Sequence, residues 1–230
     1  MDKRTFLKTS TLLAGAAVLP MWSCVGSERQ IRTAHIGVGN MGFEDLKAIA
    51  THPQVVVSAL CDVDQDNLKA AAELFPKAKL FSDYRQMMKE FSDGFDAVVV
   101  STPDHTHAPA SLLAMENNKS VYCQKPLSHY VSESREMSKV ASEKGLVTQM
   151  GIQVHSFYDY KLATMLIRGG IIGKVSKVIA WSNKNWGYDG AIPEGSDPVP
   201  ASLDWNLWLG TSKQRDYKEG YYHPMNWRKL

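Results

Sequence analysis

The sequence predicts an α/β fold: a doubly wound parallel sheet followed by an incomplete second α+β domain. Three observations predict it. Six short apolar segments, each lacking polar alternation, are followed by segments with apolar spacing of three and four. A glycine-rich loop joins the first apolar segment to the first helical one. The alternation stops near Gly151, where the spacing pattern and composition change.

The elements follow in order. "RTAHIGVG" reads as a buried strand and "GFEDLKAIATH" as a helix. "VVVSALCDV" is the second strand; "DQDNLKAAAELF" is a helix with Asp64 placed to cap it. "AKLFS" is a short strand before the helix "DYRQMMKEF". "FDAVVVST" is the fourth strand, and "HTHAPASLLAMENN" is mostly helix. "SVYCQ" is the fifth strand, followed by the helix "YVSESREMSKVASEKG", which ends at Gly145. "LVTQMGI" is the sixth strand. Right-handed crossovers between such repeats give one parallel sheet covered on both faces. Beyond Gly151, "SFYDYKLATMLIRGG" reads as a longer helix closed by two glycines and "KVSKVIAWSNK" as a strand. Residues 187–200 are rich in Gly and Pro and read as loop; "SLDWNLWLG" follows. One or two strands are too few for a sheet with its own core. The expected organisation is therefore residues 1–24 as an export signal, 25–30 as linker, 31–150 as the nucleotide-binding domain and 151–230 as the start of a second domain.

Bulk properties narrow the function. The chain has 230 residues, 44% of them apolar, which is ordinary for a globular protein. Twenty-six basic and 24 acidic residues give a net charge of +2, which excludes nucleic acid or an anionic membrane as the expected partner. "MDKRTFLKTS", "TLLAGAAVLP" and "MWSC" place a basic start before a short apolar run and small residues, as in an export signal. "KRTFLK" is similar to the twin-arginine pattern, with Lys3 at the first arginine. Cys24 after Ser23 is similar to a lipoprotein cleavage site, so a lipid anchor at Cys24 and a periplasmic or membrane-anchored location are expected. The run is too short for a membrane span, and it lacks the amphipathic spacing of a buried first helix. Cys24, Cys61 and Cys123 form no CxxC or Cys/His cluster, so no zinc site is expected. His105 and His107 enter a helix, where i and i+2 do not share a face, and no metal is expected there either.

"HIGVGNMGFE" carries Gly37, Gly39 and Gly42 in GxGxxG spacing, directly after a strand and opening a helix. Gly37 permits the tight turn, Gly39 the approach of a pyrophosphate, and Gly42 close helix–strand packing. Asn40 and Met41 complete the loop, whose free N–H groups face the phosphates. Asp62 ends the second strand twenty positions after Gly42; it can accept from both ribose hydroxyls and repels a 2′-phosphate. The cofactor is therefore NAD on a Rossmann sheet. In the order 3-2-1-4-5-6, Lys125 ends the fifth strand about 10 Å from the glycine loop. Pro126 stops the ladder and biases Lys125 toward an extended backbone. An ammonium there can reach a substrate hydroxyl at the nicotinamide end. Cys61 and Cys123 lie three strand spacings apart, too far for a disulfide.

"GVGNMG", "CDVD", "STPDHTHAP", "CQKPLSH", "GGIIGKV" and "DWNLWLG" together resemble the glucose–fructose oxidoreductase / inositol dehydrogenase / MocA family. The resemblance runs from about residue 30 to the end. It implies a Rossmann domain joined to an open-faced, mostly antiparallel sheet domain, a sugar or sugar-derivative substrate, and a homo-oligomeric full-length protein. It assigns Lys125 to substrate positioning and proton relay. It places Ser101, Thr102, Pro103, His107, Gln124 and Pro126 beside the cofactor. Two departures stand out. Gln124 occupies the position of the family motif's glutamate, so an anion beside Lys125 is expected to be missing, which favours neutral lysine. The family also places a further Asp and His after a segment like "HPMNWR", and this chain stops at "NWRKL". It therefore reads as an amino-terminal portion. His155 is a candidate substitute catalytic group or a surface histidine. Among Trp181, Trp186, Trp205, Trp208 and Trp227 most are expected to pack; Trp186 is the best candidate for stacking on a sugar ring. The implied activity is hydride transfer with NAD on a sugar. Relatives that cleave glycosides by transient oxidation, and a non-catalytic NAD-binding fragment, are the alternatives.

Overall fold

The computed structural model describes residues 29–183, 194–223 and 227. Lys3, Cys24 and Trp186 lie outside the described residues. Six strands form one sheet: β1 (Ile31–Ile36), β2 (Val55–Cys61), β3 (Lys79–Phe81), β4 (Ala97–Val100), β5 (Ser120–Gln124) and β6 (Thr148–Gly151). Their order is β3-β2-β1-β4-β5-β6, and every pairing is parallel. The crossovers are α1 (Met41–Ala50), α2 (Gln65–Leu74), α3 (Tyr84–Phe91), α4 (Asp104–Glu116) and α5 (Val131–Lys144). The chain turns between β1 and β4, so the strands' carboxyl ends open a crevice there.

Local chemistry sets the helix ends. Asp64 accepts the Asp66 N–H at 3.0 Å and Asp83 accepts the Arg85 N–H at 2.9 Å, capping α2 and α3. Glu133 folds back to accept the Tyr130 N–H at 2.9 Å at the start of α5, and Gly145 closes that helix with φ +61°. The core lies on both faces of the sheet. One side packs Met87, Phe95, Val98, Val100, Met115, Val121 and Met137; the other packs Val38, Leu46, Leu60, Leu68 and Ala71. Strands with apolar side chains on both faces explain why their sequences do not alternate.

After β6 the chain makes a 3₁₀ turn (Gln153–Ser156) and helix α6 (Tyr158–Arg168). The strand expected in "KVSKVIAWSNK" is not formed: residues 174–183 have no regular structure. Val178 and Ile179 are exposed, and a strand with no partner edge leaves its backbone groups and apolar side chains in water. Residues 200–223 return to the sheet. Leu203 bridges to Asp64, the Gln65 N–H donates to Ser202 O at 2.8 Å, and the Asp204 N–H donates to Val63 O at 2.9 Å. Helix α7 (Trp205–Leu209) follows, capped by Asp204. Trp205 and Trp208 stack with centroids 4.8 Å apart, and Tyr217 and Tyr222 complete this third cluster. These tryptophans are packing residues, as expected, whereas Trp181 is exposed.

Candidate active site

A cleft of about 680 Å³ opens along the carboxyl ends of the strands. Gly37, Gly39, Asn40 and Met41 form one wall of it. Backbone geometry requires glycine at 37 and 42, while Gly39 faces the Asn67 side chain. Gly37 has φ +81°; a Cβ on Gly39 would sit 2.4 Å from the Asn67 side chain, and one on Gly42 would sit 2.1 Å from Gly37 O. Gly42 therefore shapes the turn from behind without lining the cleft. The amino terminus of α1 faces the cleft, so its free N–H groups and dipole favour an anion.

Asp62, one residue beyond β2, is 8% exposed. It accepts the Val38 N–H at 2.8 Å and the Asp64 N–H at 2.9 Å, one on each oxygen. Burial pushes its carboxyl above the usual carboxylate range, against the hydrogen bonds from Asp64, Val38 and Asn67. These three donors leave one lone-pair site of the carboxylate for a ribose hydroxyl. Asn67, Ser82 and Tyr84 stand beside it, with Trp208, His223 and Trp227 from the returning segment. Sequence reasoning did not assign these six residues to a cofactor site. Asn67 had a legible signal, since it lies in the first turn of α2, opposite the glycine loop. His223 had none: its 3.0 Å contact with Asp64 spans 159 positions.

At the opposite end, Ser101, Thr102, Pro103, His107, Gln124 and Lys125 line the cleft. His107 joins their loops: its two ring nitrogens lie 2.7 Å from Thr102 O and 2.6 Å from Pro126 O. Pro126 thus contributes its carbonyl to His107, and the residue itself is exposed and does not line the cleft; the Lys125–Pro126 peptide is cis. Gln124 is neutral where the family motif has an anion, and its amide is held by a carboxylate from another element. The Gln124 amide donates to both Asp45 carboxylate oxygens, at 2.9 and 3.1 Å, so a carboxylate lies directly behind it. Ser101 Oγ donates to the same carboxylate at 2.7 Å. His155 does not join the site. It lies exposed in the 3₁₀ turn after β6, its ring stacked on Tyr160 at 4.9 Å, and it is absent from the cleft lining.

The model of the glucose–fructose oxidoreductase / inositol dehydrogenase / MocA oxidoreductase family, NAD-binding Rossmann fold, matches residues 31–152. The chain belongs to this family. The scyllo-inositol 2-dehydrogenase (NAD(+)) of Bacillus subtilis is 31% identical over 151 residues, covering 64% of this chain and 43% of that protein. A glycosyl hydrolase family 109 protein of Stenotrophomonas maltophilia is 25% identical over 186 residues, covering 76% of this chain and 40% of that protein. Among solved structures, the myo-inositol 2-dehydrogenase of Lactobacillus plantarum is similar with a TM-score of 0.60 and 26% identity, over 64% of this chain and 43% of that one. The chain thus spans about two fifths of the length of these relatives. The family's NAD fits the residues present. The loop that only glycine can form, the helix amino terminus and the buried Asp62 supply a phosphate cradle and a ribose acceptor in one cleft.

Proposed function

We propose that the chain is the cofactor-binding portion of an NAD-dependent oxidoreductase that moves hydride between nicotinamide and a carbinol carbon of a sugar or sugar derivative. One observation carries this reading: the glycine loop and Lys125 line the same cleft. Bound NAD supplies the hydride acceptor. The glycine loop and α1 hold the phosphates, Asp62 holds a ribose hydroxyl, and Lys125 takes the proton of the substrate hydroxyl. His155 has no part in it. The two inositol dehydrogenases named above support a polyhydroxylated substrate.

The test has two stages. NAD at a hundred times its dissociation constant should stabilise the chain by ~2.7 kcal/mol, and NADP at the same concentration by much less. A protein that extends this chain through the remaining length of its relatives should then reduce NAD with an inositol or sugar. In it, Lys125→Met should lower kcat by about a hundredfold or more. Turnover unaffected by that substitution would remove Lys125 from the mechanism.

A second reading is an NAD-dependent glycoside hydrolase using transient oxidation. Its support is that the family 109 relative spans more of this chain than the Bacillus inositol dehydrogenase does. Free aglycone from a glycoside without net NADH selects it. NAD binding with no turnover on either substrate class selects a binding-only role. Residues 1–24 further support export with NAD already bound, which a twin-arginine route allows for folded cargo. Nucleotide released from protein purified out of its native compartment tests that; finding none counts against it.

A further inference from the structure

Two buried polar side chains from different elements meet beneath the nicotinamide end of the cleft, and their chemistry allows only one arrangement. Asp45, in α1, is 7% exposed, and Gln124, the last residue of β5, is 4% exposed. A carboxylate only accepts hydrogen bonds, so the Gln124 NH₂ must face Asp45. The Lys125 backbone N–H only donates, so the Gln124 carbonyl oxygen must face it; they are 3.0 Å apart. The two demands agree, and the amide cannot flip without losing both. Gly151, in β6, closes the remaining side: a Cβ there would lie 2.9 Å from the Gln124 amide carbon and 2.8 Å from the Tyr122 hydroxyl.

We propose that Asp45 is a positioning residue: it fixes the Gln124 amide and, through it, the backbone from which Lys125 enters the cleft. The inference rests on the NAD reading above and names how this chain replaces its family's glutamate. Asp45 already supplies one buried negative charge. A glutamate at 124 would set a second carboxylate about 3 Å from the first, and two such groups cannot both ionise. Glutamine is therefore the residue that Asp45 selects. The surroundings add little charge. On α1, Glu44 and Lys47 pair with each other at the exposed surface, at 2.7 Å. β4 is followed by the neutral Ser101, and β6 offers Gly151. β5 contributes Lys125 and Tyr122, whose phenol is pushed above its ordinary value by burial, with the Asp45 charge adding to it.

The sign of the pH effect follows. In Q124E the two carboxyls share a proton whose folded pKa is raised, so the folded arrangement is favoured below the unfolded value and lost as pH rises through the folded one. A protonated glutamate can donate to Asp45 and accept from Lys125 as glutamine does, so Q124E should resemble the wild type at pH 5 and fail at pH 8.

The experiment uses four chains: wild type, D45N, Q124E and D45N/Q124E. Each is titrated with NAD and, separately, with ADP at pH 5 and pH 8, with the thermal midpoint recorded alongside. ADP occupies only the glycine-loop half. At pH 8, Q124E should bind NAD about tenfold more weakly, with ADP affinity retained. D45N/Q124E has one carboxylate again and should return NAD affinity to within about twofold of wild type, with no loss between pH 5 and 8. Q124E equal to wild type at pH 8, a double variant worse than both singles, or equal loss of NAD and ADP would each overturn the proposal. If Q124E does not fold at pH 8, folding at pH 5 together with a folded double variant at pH 8 supports it, and an unfolded double variant refutes it. Should the wild type bind no NAD, the functional reading fails; the midpoint cycle still decides whether Asp45 and Gln124 are coupled.

Discussion

At the scale of single residues, two buried titratable groups both make acidification costly, one through NAD binding and one through stability. Asp62 must be ionised to accept a ribose hydroxyl, yet burial pushes its carboxyl up. NAD affinity should therefore begin to fall on acidification at a higher pH than for a typical carboxylate, which titrates near ~4. Asp62→Ala should cost about ten- to a hundredfold in NAD affinity and narrow the preference over NADP, read by parallel titrations. His35 sits in the middle of the sheet, 1% exposed, with Nε2 3.0 Å from Thr33 Oγ1 and Nδ1 without a hydrogen-bond partner. Burial lowers its pKa to about 3. The unfolded chain binds the proton near 6.5, so stability is full above that and is lost as pH falls toward 3. The slope is about 1.4 kcal/mol per pH unit for one proton. His35→Gln should flatten that part of the acid limb in denaturant titrations; an unchanged limb would assign acid lability to other groups.

At the scale of elements, the legible part of the sequence is the part governed by short-range rules. Apolar runs, Asp64 as a cap, Gly145 as a helix stop and the GxGxxG loop each act within a few residues, and all six strands stand where the pattern put them. The illegible part depends on contacts between distant positions. "KVSKVIAWSNK" has strand-like spacing, but spacing does not provide a partner edge. The orientation of Gln124 depends on Asp45, 79 positions away, and the docking of residues 200–223 depends on Val63, Asp64 and Gln65. That returning segment is also the element most open to test. Burial would raise the Asp64 carboxyl, but hydrogen bonds from Asp66, His223 and Ser202 outweigh it and hold it below the usual range. The Asp64 contribution is therefore present above the unfolded value near ~4 and lost as pH falls through the lower folded one. His223→Ala removes one of those bonds and should cost roughly 1 kcal/mol. The loss should be local: limited proteolysis should cut within 200–223 faster while protection of β1–β5 is unchanged. Protection lost equally across the sheet would mean that the segment folds as one unit with the domain.

At the scale of the whole molecule, burial is uneven across the sheet. Strands β1, β2, β4 and β5 are apolar and covered, while β6 has three of its four residues exposed. Residues 154–183 keep their large apolar side chains in solvent, among them Phe157, Tyr158, Met165, Ile171 and Ile172. Ile171, Val178 and Trp181 are 68%, 80% and 86% exposed. Apolar surface concentrated in one region is rare on a monomer, and removing it from water is favourable whatever covers it. The chain alone should therefore self-associate across the micromolar range and bind a hydrophobic dye while its Rossmann core stays folded. Replacing Ile171, Val178 and Trp181 together by lysine should suppress both effects. Because these side chains already face water, the unfolding free energy should move by less than about 0.5 kcal/mol per site. NAD affinity should also be retained, since none of the three lines the cleft. Sedimentation at rising concentration separates the outcomes. A wild-type chain that stays monomeric refutes the exposed face as an adhesive surface, and a lysine variant that unfolds shows that the face is packed after all.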